Sequence, residues 1–175
     1  MSHSDSDADS DSDARPDGDA DPDGDADPDS DAGPDSTVET TMHHTGLTVS
    51  DLDRSVEFYT DVIGGTVESR FSVSGEAFET VVGSEGVSGQ FVHIDVGDGR
   101  LELVEYEPTD ASREPATLPQ PGGTHLAFSL GNVDGLVDAL PDGIDPLSEP
   151  RTTASGTRLV FVRDPDGNLV ELLEA

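Results

Sequence analysis

The sequence contains no cysteine, no lysine and no tryptophan among its 175 residues. Without cysteine there is no disulfide bond, no thiol nucleophile and no thiolate metal ligand. Basic residues are scarce, since eight arginines face 39 acidic residues and the formal net charge is −31. This charge repels phosphate, so we expect no nucleic acid partner. Long apolar runs are also missing, so we expect no membrane segment. The absence of cysteine fits the cytoplasmic protein that we expect.

Large apolar side chains are almost absent from residues 1–40. Apart from proline, the only apolar side chains larger than alanine in this segment are Met1 and Val38. Such a composition cannot bury enough surface to offset the entropy lost on ordering. We therefore expect residues 1–40 to form a disordered acidic tail that is no signal peptide, followed by one folded domain over residues 41–175.

The folded domain is itself acidic, because only 15 of the 39 acidic residues lie in the tail. One interpretation is an ordinary acidic, soluble protein. The other is a halophilic protein, in which surface carboxylates hold water and cations while salt screens their mutual repulsion. The absence of lysine from the whole chain favours adaptation to high salt.

A β-α-β-β-β pattern in the first half of the domain is repeated in the second half, where three of its four strands are predicted. In the first half, a helix is predicted over residues 50–63, and strands over residues 43–49, 66–73, 90–96 and 100–106. In the second half, a helix is predicted over residues 133–140, and strands over residues 124–130, 158–163 and 168–174. Residues 75–88 predict a short helix or a lid loop. A shift of 81 residues places His44 on His125 and Leu52 on Val133. The sequence thus predicts an α+β fold of two tandem βαβββ modules, forming a curved, cup-like sheet with helices on its outer face.

Four polar residues lie at matching places in these modules, each on the strand face opposite the apolar row. They are His44, Glu102, His125 and Glu171. Because duplication brings equivalent strands together, the four side chains can converge on one divalent ion, such as Zn, Ni, Co, Mn or Fe. The alternative is four solvated residues on an open sheet face. Their matching positions favour a metal site.

The segments that carry these residues resemble the vicinal oxygen chelate (VOC) superfamily. Residues 42–59 and 62–65 resemble its opening module, and residues 122–128 and 161–172 resemble its second. This superfamily includes glyoxalase I, methylmalonyl-CoA epimerase, extradiol dioxygenases and bleomycin-resistance proteins. The resemblance is closest to the glyoxalase I ligand set, and it implies the metal ligands His44, Glu102, His125 and Glu171.

The resemblance also implies an activity. It points to a metal-dependent isomerase, epimerase or lyase that abstracts a proton next to the carbonyl group of a small molecule. Glu171 is then the expected base and Glu102 its partner across the metal, although the sequence does not separate these two roles. One divalent metal per site is expected. A homodimer is also expected, because the modules of two chains can pair with each other.

Three alternatives remain at this point. A lactoylglutathione lyase would act on a methylglyoxal–thiol hemithioacetal, but glutathione-binding members commonly have Arg and Asn where this chain has Thr48 and Tyr106. An extradiol-type dioxygenase would use two His and one Glu of the same set. A non-catalytic small-molecule binding module would lack the metal.

Other polar residues are expected outside the ligand set. His43 points to the opposite strand face from His44, which predicts a surface or packing residue. His93 lies on another strand, as a structural, solvent-facing or pocket-lining residue. The candidate substrate anchors, for which exposed ion pairs are the commoner explanation, are Arg70, Arg100, Arg158 and Arg163.

Overall fold

The computed structural model describes residues 39–109, 114–115 and 117–174. The predicted disordered tail, apart from its last two residues, and part of the stretch between β4 and β5 lie outside them. The elements in chain order are β1 Thr45–Thr48, α1 Leu52–Glu57 with a π-helical turn Phe58–Val62, β2 Thr66–Ser74, α2 Glu76–Val82, β3 Ser88–Asp95, β4 Arg100–Glu107, β5 His125–Ser129, α3 Val133–Asp138, β6 Arg151–Thr152, β7 Arg158–Arg163 and β8 Leu169–Glu174. Within this described part, no helix has the length and hydropathy needed to cross a bilayer.

The strands form two four-stranded mixed sheets of identical topology. Their orders are β1-β4-β3-β2 and β5-β8-β7-β6. In each sheet the first strand pairs in parallel with the last strand of its module, and the other pairs are antiparallel. The prediction of two tandem βαβββ modules is therefore confirmed. Helix α2 is an addition to the first module, within the segment expected to be a short helix or a lid.

Helices α1 and α3 begin at polar caps, the first of which was expected from the sequence. The carboxylate of Asp51 accepts a 3.0 Å hydrogen bond from the backbone N–H of Arg54, and the side chain of Asn132 does the same for Gly135 at 2.9 Å. The first cap lies one residue after the predicted start at Ser50. Gly65 follows α1 at a close approach, because an added Cβ would lie 2.6 Å from a methyl carbon of Ile94.

A single apolar core joins the two modules. Helix α1 contacts β3 and β4, and α3 contacts β7 and β8. The fully buried strand residues of this core are Val92, Ile94, Leu101 and Leu103 of the first module, and Val160, Val162, Val170 and Leu172 of the second. Since side chains alternate along a strand, Glu102 and Glu171 lie on the sheet faces that point away from this core.

Candidate metal centre

Three side chains of the first module bring potential metal-ligand atoms together. His44 immediately precedes β1, while His93 on β3 and Glu102 on β4 are direct partners in the antiparallel register. One ligand atom from each lies within 4.8 Å of the other two. His44 Nε2 is 3.4 Å from Glu102 Oε1, and His93 Nε2 is 2.8 Å from Glu102 Oε2. This half-buried cluster places two imidazoles around one carboxylate.

The second module contains a smaller version of the same arrangement. His125 Nε2, at the start of β5, lies 3.2 Å from Glu171 Oε2 on β8. Phe161 on β7 is the register partner of Glu171 and thus occupies the place that His93 has in the first module. Its ring meets the edge of the His125 ring at a centroid distance of 5.5 Å. The second module therefore contributes one His and one Glu, with an aromatic ring beside them.

The four residues predicted from the sequence thus form two His–Glu pairs, one in each module. Among the described residues, the cluster of three or more potential ligands lies wholly in the first module, and His125 and Glu171 are not part of it. The physical reason is the shared core, because the modules pack through their helix-facing sides. Each pair consequently lies on a sheet face that points away from the other module's core.

Two histidines outside the predicted set contact the first pair. His93 reaches Glu102 because the turn between β3 and β4 lies at Gly97-Asp98, where the N–H of Val96 donates to the carbonyl of Gly99 at 3.1 Å. A turn at Asp98-Gly99, as expected from the sequence, would pair His93 with Val104 instead. His43 was expected on the opposite face, yet its Nδ1 lies 2.7 Å from Nδ1 of His44. His43 precedes β1, and strict alternation does not extend beyond the paired residues of a strand.

An aromatic wall continues from His93 along the same sheet face. The wall consists of Phe71, Phe78, Phe91 and Tyr106. Phe71 stacks on Phe91 at 5.1 Å, and Phe78 stacks on Tyr106 at 6.2 Å. Phe71 is 39% exposed. On this side the cluster is therefore flanked by a partly open apolar surface.

The candidate substrate anchors all have partners within the chain, and Arg100 also lies beside the centre, with Nη1 3.4 Å from Nε2 of His43. The three ion pairs, with nitrogen–oxygen distances between 2.5 and 3.2 Å, are Arg70–Asp53, Arg100–Glu68 and Arg158–Asp134. The hydrogen bond from Arg158 lowers the pKa of Asp134, and the hydrogen bond to Glu68 raises the pKa of Arg100. Arg163 donates to the backbone carbonyl of Gly167 at 2.6 Å. Ion pairing thus accounts for the first three guanidinium groups.

The domain that carries these pairs matches a known family. The family described as Glyoxalase/Bleomycin resistance protein/Dioxygenase superfamily aligns with residues 41–172, well over half of the chain. This chain belongs to that superfamily. The VOC resemblance of its sequence motifs is thereby confirmed, and the two-module architecture is the one expected for a member.

This chain is similar to several individual proteins over the same region. It is 30% identical over 142 residues to the 2-epi-5-epi-valiolone epimerase of an Actinomyces species, covering 75% of this chain and 78% of the relative. It is 27% identical to the lactoylglutathione lyase of Schizosaccharomyces pombe, covering 75% of this chain but 46% of that longer protein. A glyoxalase family protein from Bacillus cereus has a similar structure, with a TM-score of 0.71, 25% identity and coverage of 79% and 97%.

Proposed function

We propose that this VOC protein is a divalent-metal-dependent enzyme that moves a proton at the carbon next to a carbonyl group. It would act as an isomerase or epimerase. The observation that carries the proposal is the repeated pair of ligands: His44 lies 3.4 Å from Glu102, and His125 lies 3.2 Å from Glu171. Two imidazoles and two carboxylates make a nitrogen and oxygen donor set that suits Zn, Ni, Co, Mn or Fe.

The space beside the first pair supports the presence of an ion. Gly46 is the register partner of Glu102, and a Cβ added to it would lie 3.9 Å from Glu102 Oε1 and 4.0 Å from His44 Cδ2. A larger side chain would occupy the space next to these two ligand groups. A cation held there would also offset the negative charge of the carboxylates.

The separation of the two pairs supports a homodimeric site. Each pair lies on a sheet face that points away from the shared core, and each supplies half of the four ligands. In this proposal the His44–Glu102 pair of one protomer faces the His125–Glu171 pair of a second copy. A two-fold dimer would then contain two equivalent sites, since such an interface repeats every contact.

Glu171 is the base in the proposed reaction. Its carboxylate takes the proton from the carbon beside the carbonyl, the electron pair of that C–H bond forms a C=C bond, and the carbonyl oxygen becomes negatively charged. In the isomerisation of an α-hydroxy carbonyl compound, the hydroxyl proton of the reacting carbon moves to the charged oxygen, and Glu171 returns its proton to the former carbonyl carbon. In an epimerisation, a solvent water protonates the opposite face of the same carbon, and Glu171 releases its proton to solvent. A bound divalent cation supplies electrostatic stabilisation of the charged oxygen.

The proposed substrate is a small carbonyl compound without a large anionic group. The aromatic wall beside His93 supports an apolar contact surface, and arginines 70, 100 and 158 are held by carboxylates. A cyclitol ketone fits these features, and the Actinomyces relative is named for an epimerase of such a compound. A lyase acting on a methylglyoxal–thiol hemithioacetal is the second candidate, supported by the relative from Schizosaccharomyces pombe.

The proposal is tested by metal analysis followed by proton exchange. The purified protein should bind one Ni²⁺ or Zn²⁺ per chain. It should then catalyse deuterium incorporation from D₂O next to the carbonyl of a cyclitol ketone, followed by ¹H NMR. Hemithioacetals of methylglyoxal with glutathione and with uncharged thiols distinguish the lyase. A protein that binds no metal, or that exchanges no proton in any of these substrates, contradicts the proposal.

A further inference from the structure

We propose that His93 is a positioning residue that holds Glu102 in place as a fixed ligand and thereby leaves the role of base to Glu171. The inference rests on the proposed function and separates two carboxylates whose roles are equal in the sequence. It starts from one difference between the modules. The register partner of Glu102 is His93, whereas the register partner of Glu171 is Phe161.

The contact between His93 and Glu102 has the geometry of a hydrogen bond. Nε2 of His93 lies 2.8 Å from Oε2 of Glu102, and the two side chains are 14% and 16% exposed. The other oxygen, Oε1, is the one that faces His44. A ring N–H on Oε2 therefore leaves Oε1 and the imidazole of His44 available to the same cation. Carboxylates that bind a metal are commonly held in this way by a hydrogen bond from a neighbouring group.

The ring of His93 is itself held in a defined orientation. Its strand is anchored on both sides, because Val92 and Ile94 are fully buried in the core. The ring of Phe71 meets the His93 ring edge-on, with a centroid distance of 5.1 Å and an interplanar angle of 76°. A donor that is fixed by packing loses little entropy when it bonds to Glu102.

The equivalent carboxylate of the second module is held by fewer groups. The phenyl ring of Phe161 has no N–H group, so Phe161 cannot donate a hydrogen bond to Glu171 as His93 does to Glu102. In the described part of the chain, the contact of the Glu171 carboxylate with a titratable group is the 3.2 Å pair with His125. Glu171 can therefore change its position without breaking a hydrogen bond of the kind that His93 makes to Glu102.

Two substitutions at position 93 test the hydrogen bond through metal binding. H93F places a phenylalanine beside Glu102, as Phe161 lies beside Glu171, and removes the N–H donor. We expect the Zn²⁺ affinity of H93F to fall about 10–100-fold. Competition with a chromophoric chelator measures this affinity. H93Q keeps an N–H donor and should retain most of the affinity. Circular dichroism shows whether each variant is folded. The inference is overturned if H93F binds Zn²⁺ like the unmodified protein, or if H93Q is as impaired as H93F.

The reciprocal substitution F161H tests the role of Glu171. It installs a donor beside the base, and we expect kcat for proton exchange to fall about 10-fold or more while Zn²⁺ affinity is kept. Unchanged kcat in F161H overturns the assignment of roles. If the unmodified protein binds Zn²⁺ and exchanges protons but H93F behaves identically, only this inference fails. If the unmodified protein does neither, the proposed function fails as well.

Discussion

The hydroxyl of Tyr59 donates a 2.9 Å hydrogen bond to Oδ2 of Asp164, a residue 105 positions later in the chain. Both side chains are buried, at 0% and 4% exposure. Oδ1 of Asp164 also accepts the backbone N–H groups of Asp166 and Asn168 at 3.0 and 2.8 Å. The carboxylate thus fixes the turn between β7 and β8 and ties it to the helical segment of the first module.

Removal of the Tyr59 hydroxyl should weaken the connection between the β7–β8 turn and the first module. In Y59F a buried carboxylate loses a donor, and we expect the free energy of unfolding to fall by about 1–3 kcal/mol. Urea denaturation followed by circular dichroism measures the change. Y106F is the matched control, and it should change the stability by less than about 0.5 kcal/mol. Equal stability of Y59F and the unmodified protein would contradict the proposed importance of this bond.

The same tyrosine should make the folded protein less stable at alkaline pH. Burial, with a further contribution from the charge of Asp164, raises the pKa of Tyr59 above its ordinary value of 10.0. In the unfolded chain the phenol loses its proton near pH 10, whereas the folded protein retains it. Folding stability therefore falls as the pH rises above this value, by up to about 1.4 kcal/mol per pH unit. Because Y59F lacks the phenol, its free energy of unfolding should change less with pH between pH 9.5 and 11. Parallel curves of unfolding free energy against pH for Y59F and the unmodified protein would count against this interpretation.

Substitution of the proposed base should abolish turnover without unfolding the protein. E171Q keeps the size of the side chain but cannot accept the substrate proton at neutral pH. We expect its kcat for deuterium exchange to fall at least about 100-fold, with an unchanged melting temperature. E149Q removes an exposed carboxylate that pairs with Arg151 and serves as the control. Full activity of E171Q would refute its assignment as the base.

Mixing of two inactive variants tests the shared site of the dimer. H44A and H125A each damage both sites of their own homodimer. In a mixed dimer, one site loses both histidines and the other is intact. After dissociation and random reassociation of an equal mixture, we therefore expect about a quarter of the original activity. Activity that stays at the level of the separate variants would show that the two pairs do not meet across chains.

The acidic surface should make folding depend on salt. Because the domain carries many carboxylates and no lysine, lowering the salt concentration strengthens their repulsion. We expect a melting temperature at least about 10 °C lower in about 0.1 M than in about 2 M KCl. A variant with the exposed residues Glu85, Asp142 and Asp145 changed to their amides should be less sensitive. Equal stability in dilute buffer and in concentrated KCl would exclude the adaptation.

The sequence by itself determined the two modules and the strand faces of their polar residues. Alternation along a strand and the period of a helix are local properties, so Glu102 and Glu171 could be assigned to the faces opposite the apolar rows. The start of the first helix was recognisable for the same reason, to within one residue. The repetition at a shift of 81 residues then revealed the duplication and the His–Glu pairs.

The tertiary structure decided which of these groups meet. Alternation gives a residue's face but not its neighbour on the next strand, so the contact of His93 with Glu102 depends on the register of β3 and β4. It also does not say through which side two modules pack. The shared core joins their helix-facing sides and leaves the two His–Glu pairs separate within one chain. Burial of apolar surface, which is a property of the whole assembly of elements, makes that choice.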